Sequence, residues 1–409
     1  MSISNMQLEI KGAVSGSAGN ERIRVLELAT MFGMGGISRH VLALGGWLRE
    51  RGHDVYYAGS PGPWLDESKD AAFLPVDVHR ASGDREGASL TERLKHLASG
   101  ASILRGWLRS NPVDVIHAHE SAPALVARLA TIGRNLPIIV TYHGSQPARA
   151  RQFGTIAKWC ADKIVCVSNR SAEDLATIGG VPRSKLRVIG LGLAEPPNLD
   201  PGRILALRRQ LLGDEGVVLV MTIARLTEQK GIDTLIEVAR LVVSEQPDVR
   251  FAIVGDGPLA EKTEAQIREA GLQGRVHLLG RSEEPHLHLA AADMFLLTSR
   301  WEALPFTIAE AFQAGLPAIA TDCGGVAELI DDSVGRVLPV GDVEALSNAV
   351  LSLARDPEMR DSQAAASLAR SHEDRFQLDH NHKQIEALYR ELVDSRSRQA
   401  LRSSRSTNQ

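Results

Sequence analysis

The sequence predicts an α/β protein with two parallel-sheet domains. Short apolar segments alternate with helical segments, and this alternation runs through the chain twice. Between the two runs, three prolines lie within residues 194–202, a composition typical of a linker. The 409 residues also exceed what one ordinary hydrophobic core encloses, so two domains are expected, over 21–195 and 196–373.

Each run of alternation predicts its own set of strands. In the first half the predicted strands cover 22–28, 54–58, 113–117, 137–142, 163–167 and 186–189. In the second half they cover 217–223, 249–254, 275–279, 293–297 and 317–321. Helical segments fill most of the intervening gaps. A further helix is predicted over 374–394, because Ile385, Leu388 and Leu392 recur at helical spacing.

The two ends of the chain are predicted to be disordered tails, over 1–20 and 395–409. The first is rich in Ser and Gly and the second in Arg and Ser. The first twenty residues also lack the apolar core and cleavage site of a secretory signal. Cys160, Cys166 and Cys323 form no C-x-x-C pair, so neither a disulfide framework nor a zinc site is indicated, and a cytoplasmic location is expected.

Charge is unevenly distributed along the chain. The net charge is −4, yet basic residues outnumber acidic ones up to residue 195, and the reverse holds beyond it. Unless surface charge has simply drifted, this asymmetry indicates an anionic partner for the first half, such as a membrane surface, a lipid pyrophosphate or nucleic acid. Nucleic acid is disfavoured because basic and aromatic residues are not interleaved on a recognisable module. No apolar run approaches the roughly 20 residues that a membrane-spanning helix needs.

A glycine-rich loop follows the first predicted strand. Gly35 and Gly36 would let backbone amides approach a phosphate ahead of a helix N-terminus. A dinucleotide-binding fingerprint would need another glycine where Ser38 stands, which argues against hydride transfer.

Histidines follow two later strands. Alternation places His117 and His119 on one side of the sheet, with His119 nearer its carboxyl end. They could bind a metal, yet no third ligand lies nearby in the sequence with suitable spacing, and His117 is expected to pack in the interior. His143 ends the next strand within a Thr-Tyr-His-Gly segment.

Two basic residues follow the first strand of the second half. Arg225 offers a planar fork and Lys230 a point charge, and both suit phosphate oxygens. One such pairing at about 4 Å is worth about 4 kcal/mol at an effective dielectric near 20. Cations of this kind could stabilise a leaving diphosphate without a metal. Gly255 and Gly257 form a turn after the next strand.

Two carboxylates flank the loop after the strand at 293–297. Glu302 and Glu310 lie eight residues apart, across a loop and the first turns of a helix. Their acceptor-only oxygens suit the hydroxyls of a sugar and a ribose. In parallel sheets, loops at the carboxyl ends of strands are where ligands bind. Gly324 and Gly325 follow the next strand in the same manner.

Together these motifs resemble the retaining glycosyltransferases of the GT4 family, whose hallmark is the Glu-x7-Glu element. The resemblance covers roughly residues 22–390. It implies the GT-B architecture, in which two Rossmann-like domains face each other across a cleft. It also implies that the helix over 374–394 crosses back to the first domain, although a plain terminal helix of the second domain is an alternative.

The resemblance also implies roles for individual residues. It places His119 beside the reacting sugar, Arg225 and Lys230 on the donor diphosphate, Glu302 near the transferred sugar and Glu310 on the ribose. Further donor contacts are implied for Gly35, Gly36, Gly255, Gly257, Leu304, Pro305, Gly324 and Gly325, and an acceptor-side position for His143. No metal and no cofactor are expected besides the nucleotide-sugar donor, which is expected to be a UDP-sugar. The expected acceptor is a lipid-linked or growing cell-surface polysaccharide, at the inner face of the plasma membrane.

Some features depart from the family pattern and leave other functions open. Ala303 stands where the family usually has Gly, and residues 190–194 lack the usual Pro-Asn-Gly-Val-Asp pattern with its carboxylate. Both put the identity of the donor in question. A UDP-sugar 2-epimerase on the same architecture is an alternative enzyme, and a catalytically degenerate scaffold subunit is a non-enzymatic one.

Two segments are candidates for contact with a membrane. Residues 93–109 carry apolar positions at helical spacing with basic flanks, which fits an interfacial helix but favours packing on the sheet. The basic stretch over 149–159, which ends in Trp159, is the second candidate.

Overall fold

The computed structural model describes residues 22–33, 35–65, 72–78, 89–144, 147–190, 192–213 and 216–406. The tail predicted over 1–20 therefore lies outside the described residues. None of the described helices is both long and apolar enough to span a membrane.

The first domain is built on a seven-stranded parallel sheet in the order β3-β2-β1-β4-β5-β6-β7. Its strands are β1 (Arg24–Met31), β2 (Asp54–Ser60), β3 (Phe73–Pro75), β4 (Val115–His119), β5 (Ile138–Tyr142), β6 (Lys163–Cys166) and β7 (Leu186–Val188). All but β3 correspond to a strand predicted from the sequence. β3 was missed because three residues at a sheet edge are too few to show alternation.

Helices cover both faces of this sheet. They are α1 (Gly36–Glu50), α2 (Leu90–Ser110), α3 (Ser121–Ala130), α4 (Pro147–Cys160) and α5 (Asn169–Thr177). A capping box of Ser89 and Glu92 begins α2. The side chains of Leu97, Leu104 and Leu108 are buried in the core under the sheet. Most of the apolar stripe of this helix therefore packs inside the domain, whereas Leu94 near its start is exposed.

The second domain has a six-stranded parallel sheet in the order β10-β9-β8-β11-β12-β13. Its strands are β8 (Val218–Ile223), β9 (Val249–Val254), β10 (Val276–Leu278), β11 (Met294–Leu297), β12 (Ala318–Thr321) and β13 (Gly335–Leu338). Its helices are α6 (Pro201–Leu212), α7 (Ile232–Glu245), α8 (Ala260–Glu269), α9 (Pro285–Ala290), α10 (Phe306–Gln313), α11 (Val343–Arg355) and α12 (Pro357–Ser371). β13 was missed because this edge strand is only four residues long and begins at a glycine.

A long last helix, α13 (Leu378–Ser406), packs against the first domain. Its residues Ile385, Leu388 and Tyr389 share a buried core with Val25 of β1 and Leu44 of α1. The helix continues to Ser406, so the segment predicted to be a disordered tail from 395 is helical up to that residue. Residues 407–409 lie outside the described part of the chain.

Candidate active site

A cleft separates the carboxyl ends of the two sheets. It consists of two adjoining cavities of about 700 and 750 Å³. Loops after β1 and β5 line it from the first domain, and loops after β8, β9 and β11 line it from the second. The two domains touch at the edge of the cleft, where Gly144 of the first domain lies against Ala303 of the second. A Cβ added at residue 144 would come within 2.1 Å of the methyl carbon of Ala303, so only glycine leaves room for this contact. The alanine that departs from the family pattern thus lies against the opposite domain.

The predicted diphosphate-binding cations lie on one wall of this cleft. Arg225 follows β8 and is exposed, and it has no hydrogen-bond or ion-pair partner among the residues that the structure describes. The ammonium group of Lys230 pairs with the carboxylate of Glu302, which also accepts a hydrogen bond of 2.6 Å from Ser299 Oγ. The structure thus brings these three charged residues together on one wall, with a preformed pair between two of them that the sequence did not predict.

Glu310 lies on α10 at the other end of the cleft. Pro305, with an extended backbone, is the N-cap residue of this helix, which begins at Phe306, so that Glu310 falls in its second turn. The buried carboxylate forms a salt bridge of 2.8 Å with Arg39 Nη1, which comes from α1 of the first domain. Arg39 was not among the predicted site residues, and its place three positions after Gly36 was the only sequence signal.

The predicted glycines lie in turns that bring the loops of the cleft close together. Gly324 has a φ of +56°, and a Cβ there would come within 2.0 Å of the Glu302 carbonyl oxygen. Gly255 has a φ of +150°, and a Cβ there would come within 1.8 Å of the Ala224 carbonyl oxygen. Only glycine tolerates such approaches at these backbone angles. The other predicted donor contacts that line the cleft are Gly35, Gly36, Gly257, Leu304 and Pro305, whereas Gly325 packs on Ala303 and Ser168.

His143 reaches the cleft, and His119 lies behind it. His143 lines the 700 Å³ cavity, whereas His119 is fully buried and does not line it. The two rings meet through His119 Nδ1 and His143 Nε2, 3.1 Å apart. In this structure His143 therefore lines the cleft and His119 contacts it from behind, and the role of His119 beside the reacting sugar stays a prediction.

The buried Glu27 of β1 contacts His119. Its Oε2 lies 2.8 Å from His119 Nε2, and its Oε1 accepts a hydrogen bond of 3.0 Å from the Tyr389 hydroxyl of α13. Burial alone would raise the pKa of Glu27, but attraction and hydrogen bonding from His117 and His119 outweigh it and lower that pKa. The carboxylate is therefore ionised although it is fully buried.

The imidazoles of His119, His143 and His40 are neutral at physiological pH. Burial, reinforced by His117, lowers the pKa of His119 to about 4, despite the opposing effect of Glu27. Burial and nearby imidazoles also lower the pKa values of His143 and His40 well below the ordinary value. The rings of His40 and His143 lie 5.5 Å apart, so that a group of uncharged histidines underlies the cleft.

Glu27 is also a third potential metal ligand, which the sequence spacing did not reveal. Ligand atoms of Glu27, His117 and His119 lie within 4.8 Å of one another, a grouping that could hold a metal ion. Both ring nitrogens of each histidine, however, already have hydrogen-bond partners. The arrangement therefore fits a hydrogen-bond network. The only sequence feature that could have indicated Glu27 is that it is a lone acid in the apolar strand β1. It contacts the histidines because Glu27 pairs with His117 in the register of β1 and β4.

Two protein-family models match the chain. The model described as Glycosyltransferase Family 4 matches residues 34–194, and the model described as Glycosyl transferases group 1 matches residues 204–369. Each model therefore covers most of one domain.

Curated relatives extend over most of the chain. It is 28% identical over 312 residues to the UDP-Gal:alpha-D-GlcNAc-diphosphoundecaprenol alpha-1,3-galactosyltransferase of Escherichia coli, which covers 72% of this chain and 77% of the relative. It is 27% identical over 345 residues to the phosphatidyl-myo-inositol mannosyltransferase of Mycobacterium leprae, which covers 81% of this chain and 87% of the relative.

The fold is also similar to solved structures. The structure of Anabaena HepE in complex with UDP and glucose aligns with a TM-score of 0.74 at 21% identity, over 90% of this chain and 99% of that one. Two facing parallel-sheet domains and these likenesses define a glycosyltransferase of GT-B architecture, which confirms the predicted fold class. The chain belongs to the GT4 family, the group 1 glycosyltransferases.

Proposed function

We propose that this protein is a retaining, metal-independent glycosyltransferase that moves a sugar from a UDP-sugar to a hydroxyl of a lipid-linked or growing polysaccharide. The observation that carries the proposal is the cleft itself. It brings Arg225, Lys230 and Glu302 of the second domain opposite His143 of the first. One wall of the cleft thus carries cations that could bind a diphosphate, and the facing wall carries a polar side chain that could bind a hydroxyl.

The donor is proposed to bind on the second domain. Arg225 and Lys230 would hold the diphosphate and stabilise the negative charge that develops on it as the sugar leaves. Glu310 would accept hydrogen bonds from the ribose hydroxyls. Since Lys230 is already paired with Glu302, the donor would share this cation with the carboxylate, which keeps the ammonium group in place.

The retaining outcome is inferred from the family resemblance, and the first domain bears on how retention would be achieved. Among its described cleft-lining residues there are glycines, Arg39, Arg149 and His143, but no carboxylate that could act as a nucleophile. We therefore propose transfer on one face of the sugar. The bond from the anomeric carbon to the diphosphate oxygen breaks, the acceptor oxygen bonds on the same face, and its proton passes to the leaving diphosphate.

A UDP-sugar donor is supported by the relatives. The Escherichia coli relative is named for UDP-Gal, and Anabaena HepE was solved with UDP and glucose. The same Escherichia coli name, with its diphosphoundecaprenol, and the phosphatidyl-inositol of the mycobacterial name support an acceptor that is attached to a lipid.

Helix α4 provides a route between the cleft and a lipid surface. Arg149, near its start, lines the cleft, and Trp159, near its end, is 76% exposed. Ten residues of helix separate the two by about 15 Å. We propose that Trp159 and the basic residues beside it lie in the membrane interface, where an indole ring is stable, while the acceptor head group enters the cleft.

Thermal stabilisation by nucleotides tests the donor proposal. The purified protein is heated with UDP, GDP, ADP or TDP, each with magnesium and with a chelator instead. We expect UDP alone to raise the unfolding temperature, equally in both conditions, since a ligand at 100 times its Kd adds about 2.7 kcal/mol of stability. The shift should vanish in Arg225→Ala and persist in Arg240→Ala, whose arginine is exposed on α7 and pairs with Glu237.

Four outcomes would overturn the proposal. A shift that needs magnesium would contradict metal independence, and a shift with another diphosphate would contradict the donor class. Conversion of the UDP-sugar without any acceptor would identify an epimerase instead. Absence of a shift with every diphosphate would favour a scaffold subunit.

A further inference from the structure

A directed series of hydrogen bonds leads from the buried carboxylate of Glu27 to the cleft. We propose that Glu27 is a positioning residue that fixes the tautomers of His119 and His143, so that His143 presents an unprotonated Nδ1 to a substrate hydroxyl. The inference rests on the proposed function, because it assigns His143 a role toward a sugar hydroxyl. It follows from the donors and acceptors that each residue can supply.

The first step fixes the proton on His119. An ionised carboxylate can only accept hydrogen bonds. Glu27 Oε2 lies 2.8 Å from His119 Nε2, so this nitrogen carries the proton. The ring is neutral, so its Nδ1 is a lone pair.

The second step fixes the proton on His143. His119 Nδ1 lies 3.1 Å from His143 Nε2 and can only accept, so His143 donates from Nε2. The His143 ring is also neutral, which leaves Nδ1 without a proton. Among the described residues Nδ1 has no hydrogen-bond partner, and the side chain lines the cleft. An acceptor of hydrogen bonds therefore faces the space proposed for the substrate.

A second branch of hydrogen bonds also ends at Glu27. The Tyr389 hydroxyl donates to Glu27 Oε1 at 3.0 Å, so its oxygen must accept from His117 Nδ1, 2.6 Å away. His117 Nε2 lies 2.6 Å from the Thr141 hydroxyl. Both branches therefore end at Glu27, and each of these buried groups has a hydrogen-bond partner. If His119 Nε2 or the Tyr389 hydroxyl did not donate to Glu27, two hydrogen-bond acceptors would face each other in the interior.

Glu27→Gln should reverse the direction of the hydrogen bonds that connect residue 27 to His119 and His119 to His143. The glutamine amide has one accepting and one donating side. If the oxygen stays toward Tyr389, the bonds of His117 are preserved and the amide N–H faces His119. His119 must then accept at Nε2 and donate from Nδ1, and His143 must accept at Nε2. The proton of His143 moves to Nδ1, so that the group facing the cleft becomes a donor.

Nitrogen NMR of the full-length protein labelled with ¹⁵N-histidine tests the inference. The chemical shifts of the two ring nitrogens report which of them carries the proton. In the natural protein we expect His119 and His143 to be protonated at Nε2, and in Glu27→Gln at Nδ1. Glu27→Asp, which keeps an acceptor-only group, should retain the natural tautomers. Signals are assigned by His119→Gln and His143→Gln.

Turnover and nucleotide binding complete the test. Glu27→Gln should lower turnover about 10²-fold, the scale for losing one preorganised hydrogen bond at a reacting centre. Its thermal shift with UDP should be unchanged, because Glu27 lies outside the donor wall. Glu386→Gln is the matched control, since Glu386 is also a buried carboxylate that contacts a histidine, His53, and no hydrogen bond among the described residues connects this pair to the cleft. It should change neither the tautomers nor turnover.

The inference and the proposed function fail in different ways. A natural protein whose His143 carries its proton on Nδ1 would overturn the inference even if UDP binds, and this result does not depend on any variant folding. Full turnover in folded Glu27→Gln would overturn it as well. Absence of UDP binding to the natural protein would instead contradict the proposed function.

Discussion

Arg39 of the first domain and Glu310 of the second are joined across the cleft by a salt bridge of 2.8 Å. The carboxylate is buried, whereas half of the arginine side chain is exposed. If Glu310 binds the ribose of the donor, Arg39 occupies that carboxylate while the site is empty. The pair would then hold the two domains together until a nucleotide enters.

Replacement of Arg39 should therefore lower the stability of the free protein and increase the stabilisation that a nucleotide provides. Arg39→Ala should lower the free energy of unfolding of the free protein by about 1 kcal/mol, since one partner of the pair is exposed to solvent. The thermal shift caused by UDP should increase, because ribose hydroxyls replace the partner that Glu310 has lost. Differential scanning fluorimetry with and without UDP measures both. A smaller shift in the variant would mean that Arg39 itself binds the nucleotide.

The two predicted diphosphate-binding residues should respond differently to removal. Arg225→Ala and Lys230→Ala should each lower turnover by about 10²–10³, the scale for one preorganised charge at a reacting centre. Only Lys230→Ala should also lower stability, by about 2 kcal/mol, because it leaves the carboxylate of Glu302 without its cation. Arg225 is exposed, so its loss should leave the unfolding temperature unchanged. Kinetics and thermal unfolding of both variants decide this, and equal loss of stability in the two would contradict the asymmetry.

The charged residues of the second domain could be predicted from sequence because each lies in a loop directly after a strand. Arg225, Lys230 and Glu302 belong to such loops, and the carboxyl ends of neighbouring parallel strands necessarily meet at one edge. The alternation of apolar and polar residues sufficed to place those strands. The same logic placed His143 at the cleft.

The network around Glu27 could not be predicted in this way. Glu27 and Tyr389 are separated by 362 positions, and their contact depends on the return of α13 to the first domain. His119 meets Glu27 only because β1 and β4 are adjacent in the sheet, an order that alternation does not specify. Local patterns predict elements and their ends, whereas buried contacts between distant elements depend on topology.

The buried histidines predict a loss of stability in acid. The pKa values of His119 and His382 are lowered to about 4 by burial, whereas histidines of the unfolded chain titrate near 6.5. The unfolded state therefore binds more protons between these values, and stability must fall as pH decreases from about 6.5 to 4. Each such histidine contributes up to about 3 kcal/mol to this change. Glu27, whose pKa is lowered, acts in the same direction at still lower pH.

Thermal unfolding across this pH range tests the prediction. His119→Gln should flatten the dependence on pH, because the glutamine amide does not titrate. His372→Gln is the control, since His372 is exposed and should leave the profile unchanged. A natural protein with constant stability between pH 6.5 and 4 would show that the cluster is not neutral in the folded state.

The exposed indole of Trp159 leads to a prediction about lipid binding. Trp159→Ala should weaken co-sedimentation with vesicles that contain anionic phospholipid, because the ring loses its place in the interface. The matched control is Leu94→Ala on α2. Leu94 is an apolar side chain that is 55% exposed, whereas most apolar residues of that helix pack on the sheet. Turnover with a soluble acceptor analogue should be the same in both variants, since neither residue lines the cleft. Transfer to an acceptor embedded in vesicles should fall only in Trp159→Ala. If both variants bind vesicles as well as the natural protein does, α4 does not dock on lipid.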